Sequence, residues 1–296
     1  MDGQDDVLFR THDSQSPWYH RQSHANAMNL KDLRNLRSRS ALRFENHGAN
    51  SGGPPLGALV HGLVPESEPK YQYKQFRYNS HYWVLKFLSE RPAPLRIMDV
   101  GTATGYLGAI LKEKHHSVVG IESHAPFAAL ARRHYEQFHE TDIETFDFPY
   151  REEFDYILFA DVLEHLRNPE QVLKRALPCL KRDGRIIISV PNIANIIMRL
   201  KILLGRFEYD ERGILDKTHL RFFTLASLKR MVAEIDLWVI DIKATPIPVQ
   251  LVLAGTDHRL LSPLHELHYT IVRCWKSMFA YQFVLRASQR ELHRTM

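Results

Sequence analysis

From residue 95 onward, short apolar runs alternate with longer segments whose apolar positions recur every three or four residues. The first pattern predicts strands and the second helices. Strands are expected at 95–100, 117–121, 154–160 and 184–190, the last carrying Ile186, Ile187 and Ile188 in succession. Helices are expected at 107–114, 125–138 and 169–180, the third with Asn168 as N-cap and Pro169 at its first position. Thr224 caps a further helix at 225–235, and two last strands fall at 237–242 and 282–287. Continuous apolar strands separated by helices describe a parallel α/β sheet covered on both faces. Upstream, Tyr71, Tyr73, Phe76, Tyr78, Tyr82 and Trp83 lead into a helix ending near Glu90. Between the last two strands, 245–280 is too long for a turn and reads as a helical insertion over the site.

The first 67 residues break this rhythm. Residues 2–26 are polar without a period, and 47–55 is rich in Gly, Asn and Pro. Between them Leu30, Leu33 and Leu36 recur among Lys31, Arg34, Arg37, Arg39 and Arg43, a short basic helix candidate. The organisation expected is an arm at 1–67, either mobile or serving as a lid or dimer contact, followed by one domain at 68–296. A homodimer is therefore among the expected partners.

Composition sharpens the picture by exclusion. A chain of 296 residues with 44% hydrophobic and 25% charged residues can bury a sizeable core, so it is not wholly disordered. No apolar run reaches the roughly 18 residues of a membrane helix; the stretch 186–204 is broken by Pro191, Asn192, Asn195, Arg199 and Lys201. The start, Met1-Asp2-Gly3-Gln4, lacks the pattern of a secretory signal. Cys179 and Cys274 are too few for a disulfide framework, which points to a reducing, cytoplasmic setting. The net charge of +5 comes from 39 basic against 34 acidic residues, too mild an excess to argue for nucleic acid.

The richest chemical signal is Asp99-Val100-Gly101-Thr102-Ala103-Thr104-Gly105, set between a strand and a helix. Gly101 permits a tight turn at the strand end, and the small residues Ala103 and Gly105 permit a ligand to approach the backbone. The helix N-terminus behind them offers free N–H groups. The spacing Gly101-x-Ala103-x-Gly105 is one residue shorter than a dinucleotide-binding turn, which counts against NAD. Glu122 stands 21 residues beyond Gly101, suited to ribose hydroxyls, and Asp142 and Asp161 follow at intervals of 20 and 19. One acidic residue thus closes each strand–helix unit, at the edge where open α/β sheets bind ligands.

These residues, together with Asp142-Ile143-Glu144, Phe154-Asp155-Tyr156-Ile157 and Asp161-Val162-Leu163-Glu164-His165-Leu166, resemble the class I S-adenosylmethionine-dependent methyltransferases, in their ubiquinone-methyltransferase-like branch. The resemblance covers roughly 71–287. It departs from the family pattern at Ala103, where a glycine is usual. It implies a Rossmann-like, seven-stranded, mostly parallel sheet with helices on both faces and the last strand antiparallel. It also implies S-adenosylmethionine as cofactor. Asp99, Gly101, Ala103 and Gly105 would line its methionine and sugar portions, Glu122 would hold the ribose, and Asp142 the adenine amino group. Ile143 would pack on the ring, and Asp161 would sit near the amino-acid end. Tyr71, Tyr78 and Tyr106 are candidate lid contacts, with core aromatics the alternative.

Methyl transfer aligns nucleophile, methyl and sulfur and removes a proton from a hydroxyl acceptor. Two clusters could serve. Asp161, Glu164 and His165 would share one face of a helix, where relatives use Glu-x-x-Glu-His to hold a divalent metal. A capping box with cofactor positioning is the favoured alternative, so a metal is possible but not favoured. The second cluster is Asp216-Lys217-Thr218-His219-Leu220-Arg221-Phe222-Phe223-Thr224, similar to segments of sugar- and polysaccharide-linked members. There His219 is the candidate general base and Arg221 a contact for an anionic substrate or for Asp216, with a plain hydrogen-bonded loop as the alternative. Asn192, just past the isoleucine strand, is a candidate to orient the acceptor. The expected function is O-methylation of a small-molecule or sugar hydroxyl. Rival readings are a nucleic-acid or N-/C-directed methyltransferase and a non-catalytic partner keeping the fold. Nucleic acid is disfavoured because Asp161-Val162-Leu163-Glu164 stands where base-amino methylation would need an Asn/Asp-Pro-Pro-Tyr/Phe segment.

Overall fold

The structure, a computed structural model, describes residues 77–248 and 258–289. The expectations for the arm at 1–67, and for Tyr71 as a lid contact, lie outside the described residues. In order, the elements are α1 (Ser80–Ser89), β1 (Arg96–Val100), α2 (Tyr106–Glu113), β2 (Ser117–Glu122), α3 (Ala125–Ala131), β3 (Gln137–Glu140), β4 (Phe154–Ala160) and α4 (Pro169–Ala176). They continue as β5 (Leu180–Pro191), α5 (Ile196–Leu203), α6 (Leu225–Glu234), β6 (Leu237–Thr245), α7 (His258–Cys274), α8 (Lys276–Phe279) and β7 (Gln282–Gln289).

The seven strands form one sheet in the order β3-β2-β1-β4-β5-β7-β6. The five strands from β3 to β5 run parallel, and β7 slots antiparallel between β5 and β6. This is the seven-stranded, mostly parallel sheet expected, with its last strand antiparallel. Alternate strand residues point to opposite faces. Met98, Val100, Phe159, Ile188 and Phe283 enter one apolar layer with Val172 and Leu173 of α4 and Leu228 and Val232 of α6. Ile97, Leu158, Ile187 and Val284 enter the other, with Val84, Phe87 and Leu88 of α1 and Leu107 and Leu111 of α2. Burial on both faces explains why β1, β4 and β5 read as unbroken apolar runs.

Three local expectations need correction. The segment 125–138 is not one helix: α3 stops at Ala131, a short 3-10 turn follows, and the chain emerges as β3 at the sheet edge. Asn168 precedes α4, but its side chain makes no capping bond; its backbone N–H, with that of Arg167, donates to the Glu144 carboxylate instead. Residues 161–165 do not form an α-helix. Asp161 lies in the left-handed region at φ +59°, and only Leu163–His165 make a single 3-10 turn. The capping box proposed there is absent.

Thr224 does cap α6, exchanging bonds with Ser227 in a reciprocal box. The insertion before β7 carries α7 and α8. Tyr269 of α7 stacks on Tyr78 with ring centroids 3.7 Å apart and planes within 6°, so the insertion packs against the start of α1. At the opposite end of α1, Arg286 of β7 is buried, pairs with Glu90 and covers the Phe87 ring at 4.4 Å.

Candidate active site

Glu122, Asp142 and Asp161 lie at or just past the carboxyl edge of the parallel strands, and the turns that hold them there are built from local backbone chemistry. After β1 the chain doubles back at Gly101 (φ +71°), whose N–H donates to the Ile121 carbonyl at 2.8 Å. A Cβ on Gly101 would lie 2.6 Å from Val162 Cγ2, and one on Gly105 (φ +80°) would lie 2.7 Å from Ala131 Cα. Glycine is required at both positions by conformation and by space. Ala103, where the resemblance predicts glycine, takes the left-handed conformation at φ +47°. Gly105 precedes α2 without a side-chain cap, so the first-turn N–H groups of that helix are left to the site.

Glu122 is 8% exposed and locks this turn to the next one. Its two carboxylate oxygens accept from the Ala103 N–H at 2.8 Å and the His124 N–H at 2.9 Å. Each oxygen retains a lone pair for a further donor. Asp142 is exposed and accepts from the Glu144 N–H at 2.8 Å, and Ile143 beside it is buried. Asp161 accepts from Ser189 Oγ at 2.5 Å and Gln282 Nε2 at 3.0 Å. Tyr106, at the start of α2, meets His81 Nε2 through its hydroxyl at 3.1 Å.

Asp99 takes a different place. It is 2% exposed beneath the glycine turn and accepts from Tyr135 Oη at 2.7 Å. Burial pushes its carboxyl up to about 7, against the lowering effect of the Tyr135 bond and with a smaller push from Glu122. It supports the turn from below, rather than facing the ligand edge.

On the far side of the site the 3-10 turn and the loop before α6 are stapled together. The Glu164 carbonyl accepts from the Leu220 N–H at 2.8 Å and the Arg221 N–H at 2.9 Å. His165 and His219 meet edge to face, 4.8 Å between ring centroids. His165 Nδ1 lies 3.2 Å from the Thr218 carbonyl, and His219 Nδ1 lies 3.0 Å from the Ile214 carbonyl. A carbonyl can only accept, so each Nδ1 carries the proton and each Nε2 is the basic nitrogen of the neutral ring. Burial, followed by the neighbouring His219, pushes the His165 pKa down. Ligand atoms of Glu164, His165 and His219 all lie within 4.8 Å of one another. Asp161 is not in that group, so the three residues that converge differ from the Asp161, Glu164 and His165 anticipated.

Two candidates change role. Asn192 is fully buried, its amide donating to the Ser277 and Ala280 carbonyls and its oxygen accepting from the Ala194 N–H. It anchors the end of β5 to α8 and does not reach the ligand edge. Arg221 points its guanidinium at the Arg167 carbonyl and not at Asp216, whose carboxylate accepts instead from the Thr218 N–H and hydroxyl. Tyr78 belongs to the aromatic stack under α7, with its hydroxyl on Glu266. Ser189, Gln282 and His81 were not anticipated. Their signal is a polar residue interrupting an apolar run, as Ser189 interrupts Ile188 and Val190.

Comparison with known proteins agrees with this architecture. A family model described as a methyltransferase domain matches residues 71–242, more than half of the chain. The ubiquinone biosynthesis O-methyltransferase of Bradyrhizobium diazoefficiens is 32% identical over 104 residues, which is 33% of this chain and 40% of that protein. That of Glaesserella parasuis is 30% identical over 107 residues, 33% of this chain and 45% of that one. The chain thus spans less than half the length of these curated relatives. Among solved structures, a SAM-dependent methyltransferase from Archaeoglobus fulgidus superposes with a TM-score of 0.50 at 15% identity. The match covers 71% of this chain and 92% of that one, a likeness of fold.

Proposed function

Since the chain belongs to the methyltransferase-domain family, as a class I S-adenosylmethionine-dependent methyltransferase, we propose that it transfers the cofactor's methyl group to a hydroxyl of a small molecule or sugar. The observation that carries this reading is the pairing of two half-sites across one sheet edge. On one side stand Gly101, Ala103, Gly105, Glu122, Asp142 and Ile143; on the other stands a basic histidine nitrogen fixed by a backbone carbonyl. In this proposal Glu122 holds the ribose, Asp142 and Ile143 the adenine, and Asp161 with Gln282 the amino-acid end. Tyr106 borders the same turn. When bound, the cofactor supplies an electrophilic methyl group on a sulfonium.

His219 Nε2 takes the acceptor's proton, because Nδ1–H is committed to the Ile214 carbonyl. Replacing His219 by Ala is expected to leave cofactor affinity unchanged and to lower turnover at least about tenfold. Both are read by titration calorimetry with S-adenosylhomocysteine and by product formation. Unchanged turnover would remove His219 from the mechanism.

A second reading has its own support in the Glu164, His165 and His219 cluster. One buried carboxylate and two imidazoles with basic Nε2 atoms form a donor set suited to a divalent transition metal. The Thr218 and Ile214 carbonyls would then be the outer partners that orient the two rings. In that case the ion would lower the acceptor hydroxyl's pKa. Activity abolished by excess chelator and restored by a divalent ion selects this reading; activity untouched by chelator selects His219 as the base.

A further inference from the structure

Strand β7 runs antiparallel to β5, and Gln282, its first residue, lies opposite Pro191. Tyr281 therefore stands just outside the sheet, at the edge where the parallel strands have their carboxyl ends. Its backbone is fixed on both sides. The Tyr281 N–H donates to the Thr245 carbonyl at 2.8 Å, and the Tyr281 carbonyl accepts from the Asn192 N–H at 2.9 Å. The ring packs against the small cluster that contains Ile214 and Leu215. Ile214 is the residue whose carbonyl holds His219 Nδ1.

Two features surround the hydroxyl at the tip of this ring. One is space kept open by a glycine. Gly213 has φ +102°, a conformation that a residue with a side chain rarely adopts. A Cβ there would lie 3.3 Å from Tyr281 Oη and, its chain neighbours aside, within 4 Å of no other atom among the described residues. The other feature is the Asp161 carboxylate, which Gln282, next in the chain after Tyr281, bonds at 3.0 Å. Burial, followed by the Asp161 charge, pushes the Tyr281 phenol up to about 12, so it keeps its proton at neutral pH. Among the described residues no hydrogen bond ends on this hydroxyl. Both of its lone pairs are available to a ligand.

We propose that Tyr281 Oη contacts the sulfonium methyl of bound S-adenosylmethionine and makes the site prefer the loaded cofactor to its demethylated product. This rests on the proposed placement of the cofactor's amino-acid end at Asp161. The methyl leaves a cofactor anchored at Asp161 for an acceptor at His219. Tyr281 borders that passage on both sides, through the Asp161 charge and through Gly213 and Ile214. A methyl on a sulfonium carries positive charge on its hydrogens, and an oxygen lone pair attracts it as a weak C–H···O hydrogen bond. The negative charge of Asp161 draws the hydroxyl proton to its own side and turns the lone pairs towards the passage. Once the S–C bond has broken and the methyl has joined the acceptor oxygen, sulfur is a neutral thioether. The attraction then ends, and the product is held less tightly. A phenol that keeps its proton offers its lone pair without competing as a nucleophile for the methyl.

The test is titration calorimetry of the full chain with S-adenosylmethionine, S-adenosylhomocysteine and sinefungin, in which an amine-bearing carbon replaces the sulfonium and its methyl. Tyr281→Phe removes only the hydroxyl. It is expected to weaken S-adenosylmethionine about fivefold, with S-adenosylhomocysteine and the unfolding temperature unchanged. Sinefungin, whose cationic N–H groups donate more strongly, is expected to weaken at least about tenfold. Equal weakening of all three ligands makes Tyr281 a structural residue and overturns the proposal. Unchanged binding of all three overturns it too. Asp161→Asn separates this inference from the reading beneath it. Full affinity for both cofactor forms in that variant removes Asp161 from the amino-acid end, and the proposal with it. Weakened affinity for both, beside a Tyr281→Phe chain that binds normally, leaves Asp161 in place and overturns the role of Tyr281 alone.

Discussion

A buried carboxyl that supports a ligand turn makes stability depend on pH in the opposite sense to an ordinary surface aspartate. The Asp99 carboxyl is pushed up to about 7, from 3.8, chiefly by burial. The folded chain therefore holds that proton more tightly than the unfolded one. The stability it contributes is full below about pH 4 and is lost as pH rises towards 7. Asp99→Asn keeps an acceptor for Tyr135 and removes the charge. Its unfolding temperature relative to the parent is expected to be higher at pH 8 than at pH 5, by about 2–4 °C per kcal/mol for a domain of this size. Equal differences at both pH values would show that Asp99 does not titrate in this window. At this same scale the sequence was partly legible. Residue type and spacing located Glu122, Asp142 and Asp161, because those features follow from strand length. They could not tell that Asn192 turns inward to the carbonyls of α8, or that Arg221 serves the Arg167 carbonyl, since side-chain direction there depends on partners 88 and 54 residues away.

At the scale of elements, the sequence reads well wherever burial is two-sided and poorly at the sheet edge. Strands β1, β4 and β5 are covered on both faces and announce themselves as apolar runs. The edge strand β3 has four residues, Gln137, Phe138, His139 and Glu140, none of them buried, so neither alternation nor an apolar run marks it. The turn at 161–165 is hidden for a related reason: an Asp-x-x-Glu spacing is compatible with a helix start, while Asp161 takes the left-handed conformation with its N–H and carboxylate both bonded to Ser189 of the neighbouring strand. Helix α6 is the contrasting case, where local chemistry decides. Thr224→Ala removes the hydroxyl that accepts from the Ser227 N–H at 3.1 Å. The expected cost is about 1 kcal/mol, read by urea unfolding, and Thr224→Ser should recover most of it. Because the His219 loop leads directly into this cap, a loss of turnover in Thr224→Ala beyond the loss of stability would show that the cap also fixes the loop.

Across the whole domain, one side chain fastens the first described helix to the last strand. Arg286 rises from β7, pairs with Glu90 at the end of α1 and lies over Phe87. A guanidinium this buried is tolerated only with a partner, and its stem also fills space between the sheet and α1. Arg286→Ala is expected to lower unfolding free energy by about 2 kcal/mol, measured by denaturant titration, while Glu90→Gln costs less because Glu90 is 43% exposed and a neutral acceptor remains. A larger cost for Glu90→Gln than for Arg286→Ala would contradict this account.

The bond from Gln282 to Asp161 has a bearing on how the protein is made. Strands β1, β2 and β4, with the glycine turn and Glu122 between them, leave the ribosome more than 120 residues before Gln282 does. A nascent chain can lay those strands side by side, yet the carboxylate at the end of β4 waits for its amide partner until β7 has wedged itself between β5 and β6. Assembly of this edge thus waits for β7. Translation delivers the glycine turn and Glu122 early, and the last of the described strands completes the edge.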